Sequence, residues 1–512
     1  MRSRTTSCAR FLPKMHKAQR LIDRLARHPA EILWVFAAYY VVQFAVRLWL
    51  PHGLRIDEAQ QVLLSQWFAA GYDAQPPLYN WLQQAVFAIV GNYLVGLAAL
   101  KSLMLLAVIS SYWVLARLLV RQPALATVAT LGLFFIPQMF WQAQRDLTHT
   151  TATMLMVNLV VIAAIVTLRS PTMRNYLLLG CAAGVGMLTK YNFVLVLPAL
   201  LFACLLQPGG LRRLLDPKIL LSILVAALIV LPHVLWFLDN MGVASSVTAA
   251  RMAEDASDTN RLHQILLGLG ELLQMTIVLC APAALVIGLP FGRRAFSAWR
   301  AQSGESRFVG ALLAGILLIL ALMILVFTFT TFRDRWLLPL LQLLPIYLVL
   351  KLEAQGMDAE AGLRRLLPVA LVTMILIPIA MMIAGHKGRP SHYHQPYAAF
   401  EAAFAERERI SPSLIVAPDW LAAGNLKMQW PDSAVITLQF PNLTASYDWS
   451  RERPIALMWR GEETTLPARL QTWAKDNLHK GTIPPETKTV SLPFTGRSRT
   501  QAPDFHYVLI YP

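Results

Sequence analysis

The sequence predicts an α-helical polytopic membrane protein with about eleven transmembrane helices. Three observations lead there. Apolar runs of about twenty residues, the length that spans a bilayer, recur along the chain. Only 14% of the 512 residues are charged, against 56% hydrophobic. The basic residues gather in short turns between the apolar runs. A soluble domain averages about a quarter charged residues, so a water-soluble globule is excluded. A formal net charge of +16 would suggest nucleic acid in a soluble chain; here topology accounts for it, and no nucleic-acid partner is expected.

Residues 1–30 form a basic arm with Arg2, Arg4, Arg10, Lys14, Lys17, Arg20, Arg24 and Arg27. It is too long for a signal-peptide n-region, and no small-residue cleavage site follows the first apolar run. The arm is therefore expected in the cytoplasm. The spans are expected near 32–50, 97–116, 123–141, 149–168, 176–189, 191–207, 219–238, 265–291, 308–330, 336–350 and 366–385. With the N-terminus inside, the inner turns hold Arg117 and Arg121, then Arg169 and Arg174, then Arg212, Arg213 and Lys218. The last two hold Arg293, Arg294, Arg300 and Arg307, then Lys351, Arg364 and Arg365. Each is basic-rich, as the positive-inside rule requires of a bacterial inner-membrane protein. An odd number of spans places the C-terminus in the periplasm. Residues 31–385 thus form the membrane domain. Cys8 lies in the arm and Cys181, Cys204 and Cys280 lie inside apolar runs, with no pairing pattern or CxxC.

From about 386 to 512 the apolar runs shorten to strand length at Leu414–Ala417, Ala434–Leu438, Pro454–Met458 and Tyr507–Ile510, with helical patterns near 396–408 and 465–477. This pattern predicts a small periplasmic α/β domain. His386, His392 and His394 cluster loosely at its start but lack a complete ligand set, so no metal site is assigned.

The first outer loop, 51–96, is unusually long. Asp57-Glu58 opens a helix with Ala59, Val62, Leu63 and Trp67 at helical spacing. After Gln75-Pro76-Pro77, the apolar residues Leu78, Trp81, Leu82, Ala85, Val86 and Ile89 line one face of a second helix. Helices of this kind lie in the membrane interface. An acidic pair held there suits a substrate with its tail in lipid and its head in water. Asp57, with Gln60 three residues on, also reads as a helix N-cap; the two readings are compatible. Lys101, near the outer end of the second span, is expected to snorkel.

These blocks carry a resemblance. Asp57-Glu58-Ala59-Gln60, Gly71-Tyr72 and Gln75-Pro76-Pro77-Leu78-Tyr79-Asn80-Trp81-Leu82 resemble the first outer loop of family 39 glycosyltransferases of the GT-C fold. Gly184-Val185-Gly186-Met187-Leu188-Thr189-Lys190-Tyr191 resembles a second block and Arg333-Asp334-Arg335-Trp336-Leu337-Leu338-Pro339 a third. The family includes protein mannosyltransferases, the lipid A aminoarabinose transferase and rhizobial lipopolysaccharide galacturonosyltransferases. Gln144-Arg145-Asp146-Leu147-Thr148-His149-Thr150 and the Thr-Lys-Tyr element look most like the rhizobial branch. Where aminoarabinose transferases carry a lysine before the Pro-Pro pair, this chain has Gln75.

The resemblance implies inverting transfer of a sugar from a polyprenyl-phosphate donor to an envelope acceptor. Lipid A or lipopolysaccharide core is favoured as acceptor and galacturonic acid is a candidate sugar. A lipid-linked donor needs no Gly-rich nucleotide loop, and none is present. Asp57 matches the family's loop-one acid and takes the role of base, with Glu58 as second candidate or orienting partner. Asp146 matches another acidic position. Lys190 matches a lysine near the donor phosphate. Arg333 and Arg335, outside against the positive-inside trend, suit phosphate through their guanidinium forks, as does Arg55. Tyr72, Gln75, Tyr79 and His149 are candidate sugar or acceptor contacts. No cofactor is required; a divalent metal is compatible with the chemistry but no ligand set supports one. A monomer surrounded by membrane lipids is expected. A transporter would place ionisable residues at the bilayer midplane and show two similar halves, and a non-catalytic scaffold or flippase would keep the cations without needing Asp57.

Overall fold

The computed structural model describes residues 12–72, 75–242, 260–387, 389–440, 442–478 and 486–512; Arg2, Arg4, Cys8 and Arg10 of the basic arm lie outside them. Helices occupy all eleven expected spans. Eight are long and apolar enough to cross a membrane: Pro29–Trp49, Tyr93–Leu119, Thr148–Arg169, Ile219–Asp239, Arg261–Phe291, Gly304–Phe327, Asp334–Ala354 and Ala359–Lys387. The other three, Pro123–Phe134, Met173–Met187 and Tyr191–Leu205, are shorter. The span expected over 123–141 stops at Phe134, because Pro137 has no N–H to continue the ladder, and a π-helical turn, Gln138–Gln142, follows.

The chain forms two compact units. The first takes in the described residues of 1–42, 74–78 and 102–377, the second those of 43–73, 79–101 and 378–512. Most of the first outer loop thus belongs to the same unit as the C-terminal residues, whereas the sequence placed it with the membrane domain.

In the first unit, side-chain size sets how closely helices approach. Gly180 and Gly184 lie one turn apart on Met173–Met187. A Cβ at Gly180 would sit 2.5 Å from the Ser222 carbonyl oxygen, and one at Gly184 2.9 Å from Ala226 Cα. This small-xxx-small face lets Ile219–Asp239 pack backbone to backbone, as transmembrane helices do where apolar burial supplies no drive. The Ser222 hydroxyl donates to the Tyr176 carbonyl at 2.6 Å. The outer face of Ile219–Asp239 is a row of exposed leucines, including Leu220, Leu224, Leu228 and Leu235, the surface expected against lipid. The N-terminal helix Leu12–Arg27 is tied in by ion pairs of Arg24 with Glu31 and of Asp23 with Arg364.

The second unit is built on a five-stranded sheet of order β2-β1-β3-β7-β4. Its strands are β1 Leu414–Ala417, β2 Ala434–Thr437, β3 Ile455–Arg460, β4 Lys488–Val490 and β7 Phe505–Ile510. β5 Pro493–Phe494 and β6 Arg497–Gln501 form a separate hairpin. β1 runs parallel to β2 and β3, and β7 antiparallel to β3 and β4. The parallel β1–β2 pair needs a crossover, supplied by the helix Trp420–Gln429, whose N-cap Asp419 accepts from the Ala422 amide at 2.8 Å. One sheet face packs on Phe400, Phe404, Trp430 and the loop-one residues Leu63, Leu64 and Tyr72. The other packs on Leu470 and Ala474 of the helix Ala468–Asn477.

The loop-one helix Ile56–Leu64 is fastened to this α/β layer at one close crossing. A Cβ at Gly424 would lie 2.0 Å from the Ala59 carbonyl oxygen. Next to it, Asn425 Oδ1 accepts from the Leu54 amide at 2.8 Å.

Candidate active site

Each unit carries one group of the sequence-predicted residues. In the second unit the helix Ile56–Leu64 begins one residue before the expected start, with Arg55 as N-cap. That shift changes which carboxylate caps it. Glu58 is at the N3 position, and its Oε2 accepts from the Arg55 amide at 3.1 Å. Asp57 sits in the first turn, so the N-cap reading of Asp57 is replaced by a Glu58 cap.

Glu58 is also one half of a buried ion pair. Arg47, at the end of the first span, donates Nε to Oε1 at 2.8 Å and Nη2 to Oε2 at 2.9 Å, with both side chains 7% exposed. The same guanidinium donates to the Gly53 carbonyl at 3.3 Å and lies 4.8 Å from the centre of the Tyr393 ring, which Arg55 approaches at 5.5 Å. Burial by itself pushes the Glu58 carboxyl up. The Arg47 charge and hydrogen bonds, the Arg55 amide and the Lys101 charge outweigh it and hold the group below the usual carboxylate range. Lys101 is only 8% exposed. Its charge acts inside the protein, on Glu58, instead of snorkelling to water.

Glu58 is therefore committed to structure, whereas Asp57 is half-buried on the adjoining position. Two residues expected to touch sugar are enclosed. Tyr72 is 2% and Tyr79 0% exposed, so neither ring offers a face for stacking. The Tyr72 hydroxyl donates to the Trp67 carbonyl at 2.8 Å and accepts from Gln84 at 3.0 Å. Burial pushes the Tyr79 hydroxyl well up, reinforced by the charges of Asp57 and Glu58.

In the first unit three distant segments converge. The helix Thr148–Arg169 starts after Leu147, whose φ of 68° is left-handed, a conformation that costs a non-glycine residue roughly 1–2 kcal/mol. That corner sets Asp146 just outside the helix and His149 and Thr150 in its first turn. The second segment is the turn after Met173–Met187. Lys190 lies there in extended conformation, 8% exposed. The third is the start of Asp334–Leu341. Lys190 Nζ donates to Thr150 Oγ1 at 3.1 Å and approaches the Arg335 carbonyl at 3.5 Å. His149 Nδ1 donates to the Thr189 carbonyl at 3.3 Å, and Asn192 Nδ2 to the Trp336 carbonyl at 2.8 Å. Asp334 accepts from the Gln138 amide at 2.9 Å and from the Arg335 backbone amide at 2.6 Å. Arg333 lies 6.0 Å from the Trp336 ring centre.

Gln75 reaches the same place, since Leu78 donates its amide to the Leu188 carbonyl at 3.0 Å and docks the Gln-Pro-Pro segment on the Lys190 turn. Together Gln75, Lys190 and Asn192 line one cavity of about 200 Å³ with Leu195, Leu320, Met323, Phe329 and Trp336. Its described lining is mostly apolar, and Tyr191 adds a hydroxyl to the polar side chains of Gln75, Lys190 and Asn192. A cation in the lining of a mostly apolar cavity matches a ligand with an anionic head and a hydrocarbon tail.

Sequence reasoning missed Thr150, Asn192 and Arg47. Thr150 lies within the Gln144–Thr150 block but holds no charge. Arg47 carried a signal, an arginine in the last turn of an apolar span, that only a partner eleven residues on makes meaningful.

Two solved structures share this architecture. The crystal structure of ArnT from Cupriavidus metallidurans bound to undecaprenyl phosphate superposes with a TM-score of 0.58 at 14% identity, covering 93% of this chain and 97% of ArnT. Its apo form gives 0.56 at 13% identity, over 94% and 98%. Residues 74–236 match the dolichyl-phosphate-mannose-protein mannosyltransferase family. The chain is a multi-pass membrane glycosyltransferase of the GT-C type. It is 36% identical over 475 residues to the lipopolysaccharide core galacturonosyltransferase RgtB of Rhizobium johnstonii, covering 91% of this chain and 94% of RgtB. It is 37% identical over 456 residues to RgtA of the same organism, covering 88% and 90%. The chain belongs to this family of lipopolysaccharide core galacturonosyltransferases.

Proposed function

We propose that the protein transfers galacturonic acid from a polyprenyl-phosphate donor to the lipopolysaccharide core or lipid A, with inversion, on the periplasmic face of the inner membrane. The observation that carries this reading is the mostly apolar cavity that Lys190 lines. The polyprenyl chain enters the apolar part and its phosphate meets Lys190, with Arg333 and Arg335 as further cations. The same orientation puts residues 1–30 in the cytoplasm and residues 386–512 in the periplasm.

The acceptor hydroxyl oxygen forms a bond to the anomeric carbon while the anomeric C–O bond to phosphate breaks, its electron pair leaving on the phosphate oxygen. The hydroxyl proton passes to Asp57. The departing polyprenyl phosphate is already a stable anion, so it needs cations rather than a general acid. Asp146 holds the acceptor. Glu58 acts as an orienting residue, fixing the turn that carries Asp57 through the Arg47 pair.

The test is transfer in proteoliposomes. Lys190→Gln removes the cation while keeping a polar chain of similar length. Loss of a charge-assisted contact worth about 1.5–3 kcal/mol raises the donor KM about 10- to 150-fold. An unchanged KM would remove Lys190 from the donor site.

A further inference from the structure

A second concavity lies in the first unit, away from the residues above. It is a groove of about 880 Å³ between the C-terminal part of Arg261–Phe291, the loop that follows, and Leu344–Ala354. Its apolar lining includes the buried Ile287 and Leu352, the half-buried Leu348 and the exposed Leu285. Its polar lining is made by Arg293, Arg300 and Lys351, and among the described residues no acidic side chain lines it. Lys351 is held in place, 6% exposed, with Nζ donating to the Ala301 carbonyl at 2.8 Å. At the rim Phe296 is 85% and Trp299 70% exposed.

Ordinary topological signalling asks only for lysines and arginines in a turn. It asks neither for an apolar groove beneath them nor for two exposed aromatics beside them. Large aromatics of this kind anchor at the headgroup level, which puts the three cations at the depth of lipid phosphates. The groove has the volume of a ligand site, and its lining combines apolar side chains with three cations.

We propose that this groove is a binding site for one anionic phospholipid, its phosphate held between Arg293, Arg300 and Lys351 and its acyl chains laid on the apolar lining. It lies on the face carrying the basic turns and belongs to neither donor nor acceptor. It is a lipid contact that seats this end of the helix bundle in a membrane rich in anionic lipid.

Native mass spectrometry of the purified full chain with phosphatidylglycerol or phosphatidylcholine tests it. The wild type is expected to retain one phosphatidylglycerol selectively. Arg293→Gln/Arg300→Gln is expected to weaken that retention about 25-fold, at about fivefold for each arginine near a lipid surface. Arg174→Gln/Arg212→Gln, which removes the same charge from exposed positions in other basic turns, is expected to leave retention unchanged. Equal loss in both variants would reduce the effect to bulk charge and overturn the site. A second readout does not depend on the charge variants. Dibrominated phosphatidylglycerol should quench tryptophan fluorescence less in Trp299→Phe than in the wild type; equal quenching would also overturn it. Displacement by millimolar inorganic phosphate would show an anion site without lipid selectivity and refute the phospholipid assignment.

Discussion

Replacing Arg47 with methionine removes one partner of the best-enclosed ion pair described in the second unit. The Glu58 carboxylate then stays buried, with 7% of its side chain exposed and without the Arg47 guanidinium. Breaking such a pair from one side costs about 3–5 kcal/mol, whereas replacing both partners by apolar residues of similar volume is about neutral or stabilising. Arg47→Met should therefore destabilise strongly, Glu58→Leu comparably, and Arg47→Met/Glu58→Leu much less than their sum. Thermal unfolding of the detergent-solubilised chain, followed by intrinsic fluorescence, reads all three. The sign of the pH dependence follows from the lowered Glu58 pKa. A carboxylate depressed on folding contributes stability that is present above its unfolded value, near 4.3, and lost as pH falls through the folded value. Wild type should lose stability on acidification below the ordinary carboxylate range. Arg47→Met should reverse that slope, because burial then dominates and raises the carboxyl pKa. Additive single variants, with the same acid profile in Arg47→Met as in wild type, would refute the reasoning.

Other predictions follow from the same geometry. Asp57→Asn should lower kcat by about 10²–10⁴ with little change in donor KM, as removal of a general base does; single-turnover transfer assays read it. Gly424→Ala places a Cβ 2.0 Å from the Ala59 carbonyl oxygen and should cost about 1–3 kcal/mol, read as a fall in Tm. Burial pushes the Tyr397 hydroxyl up to about 12, so the stability it supplies is complete below about pH 10 and drains between about pH 10 and 12. Tyr397→Phe should flatten that alkaline slope.

Hydropathy made the helical membrane bundle legible, because a span must be apolar for about twenty residues. It overestimated helix length where proline breaks the ladder, as at Pro137. The strands at Leu414–Ala417 and Tyr507–Ile510 were also readable, the latter beginning two residues earlier in the structure, since fully buried short runs bounded by polar residues suit a covered sheet. The shift of the loop-one helix start was not readable: Arg55 has no side-chain acceptor to mark an N-cap, while Asp57 is the residue type that does. The cavity at Lys190 was legible only in parts. Lys190, Gln75 and Arg335 each stood in a recognisable block, but hydrogen bonds between distant segments join them, and at Arg335 it is the backbone carbonyl that approaches Lys190. Burial of Tyr72 and Tyr79 could not be read either, because an aromatic in an interfacial pattern looks the same whether it faces a sugar or the protein interior.

Galacturonic acid transfer is read by reconstituting the full chain in proteoliposomes with polyprenyl-phosphate galacturonic acid and lipopolysaccharide lacking its core galacturonic acid. Each modified acceptor should gain the mass of one hexuronic acid residue, with release of polyprenyl phosphate, and Asp57→Asn should lose that gain. An unmodified acceptor with active donor present, or undiminished transfer by Asp57→Asn, would contradict galacturonic acid transfer with Asp57 as base.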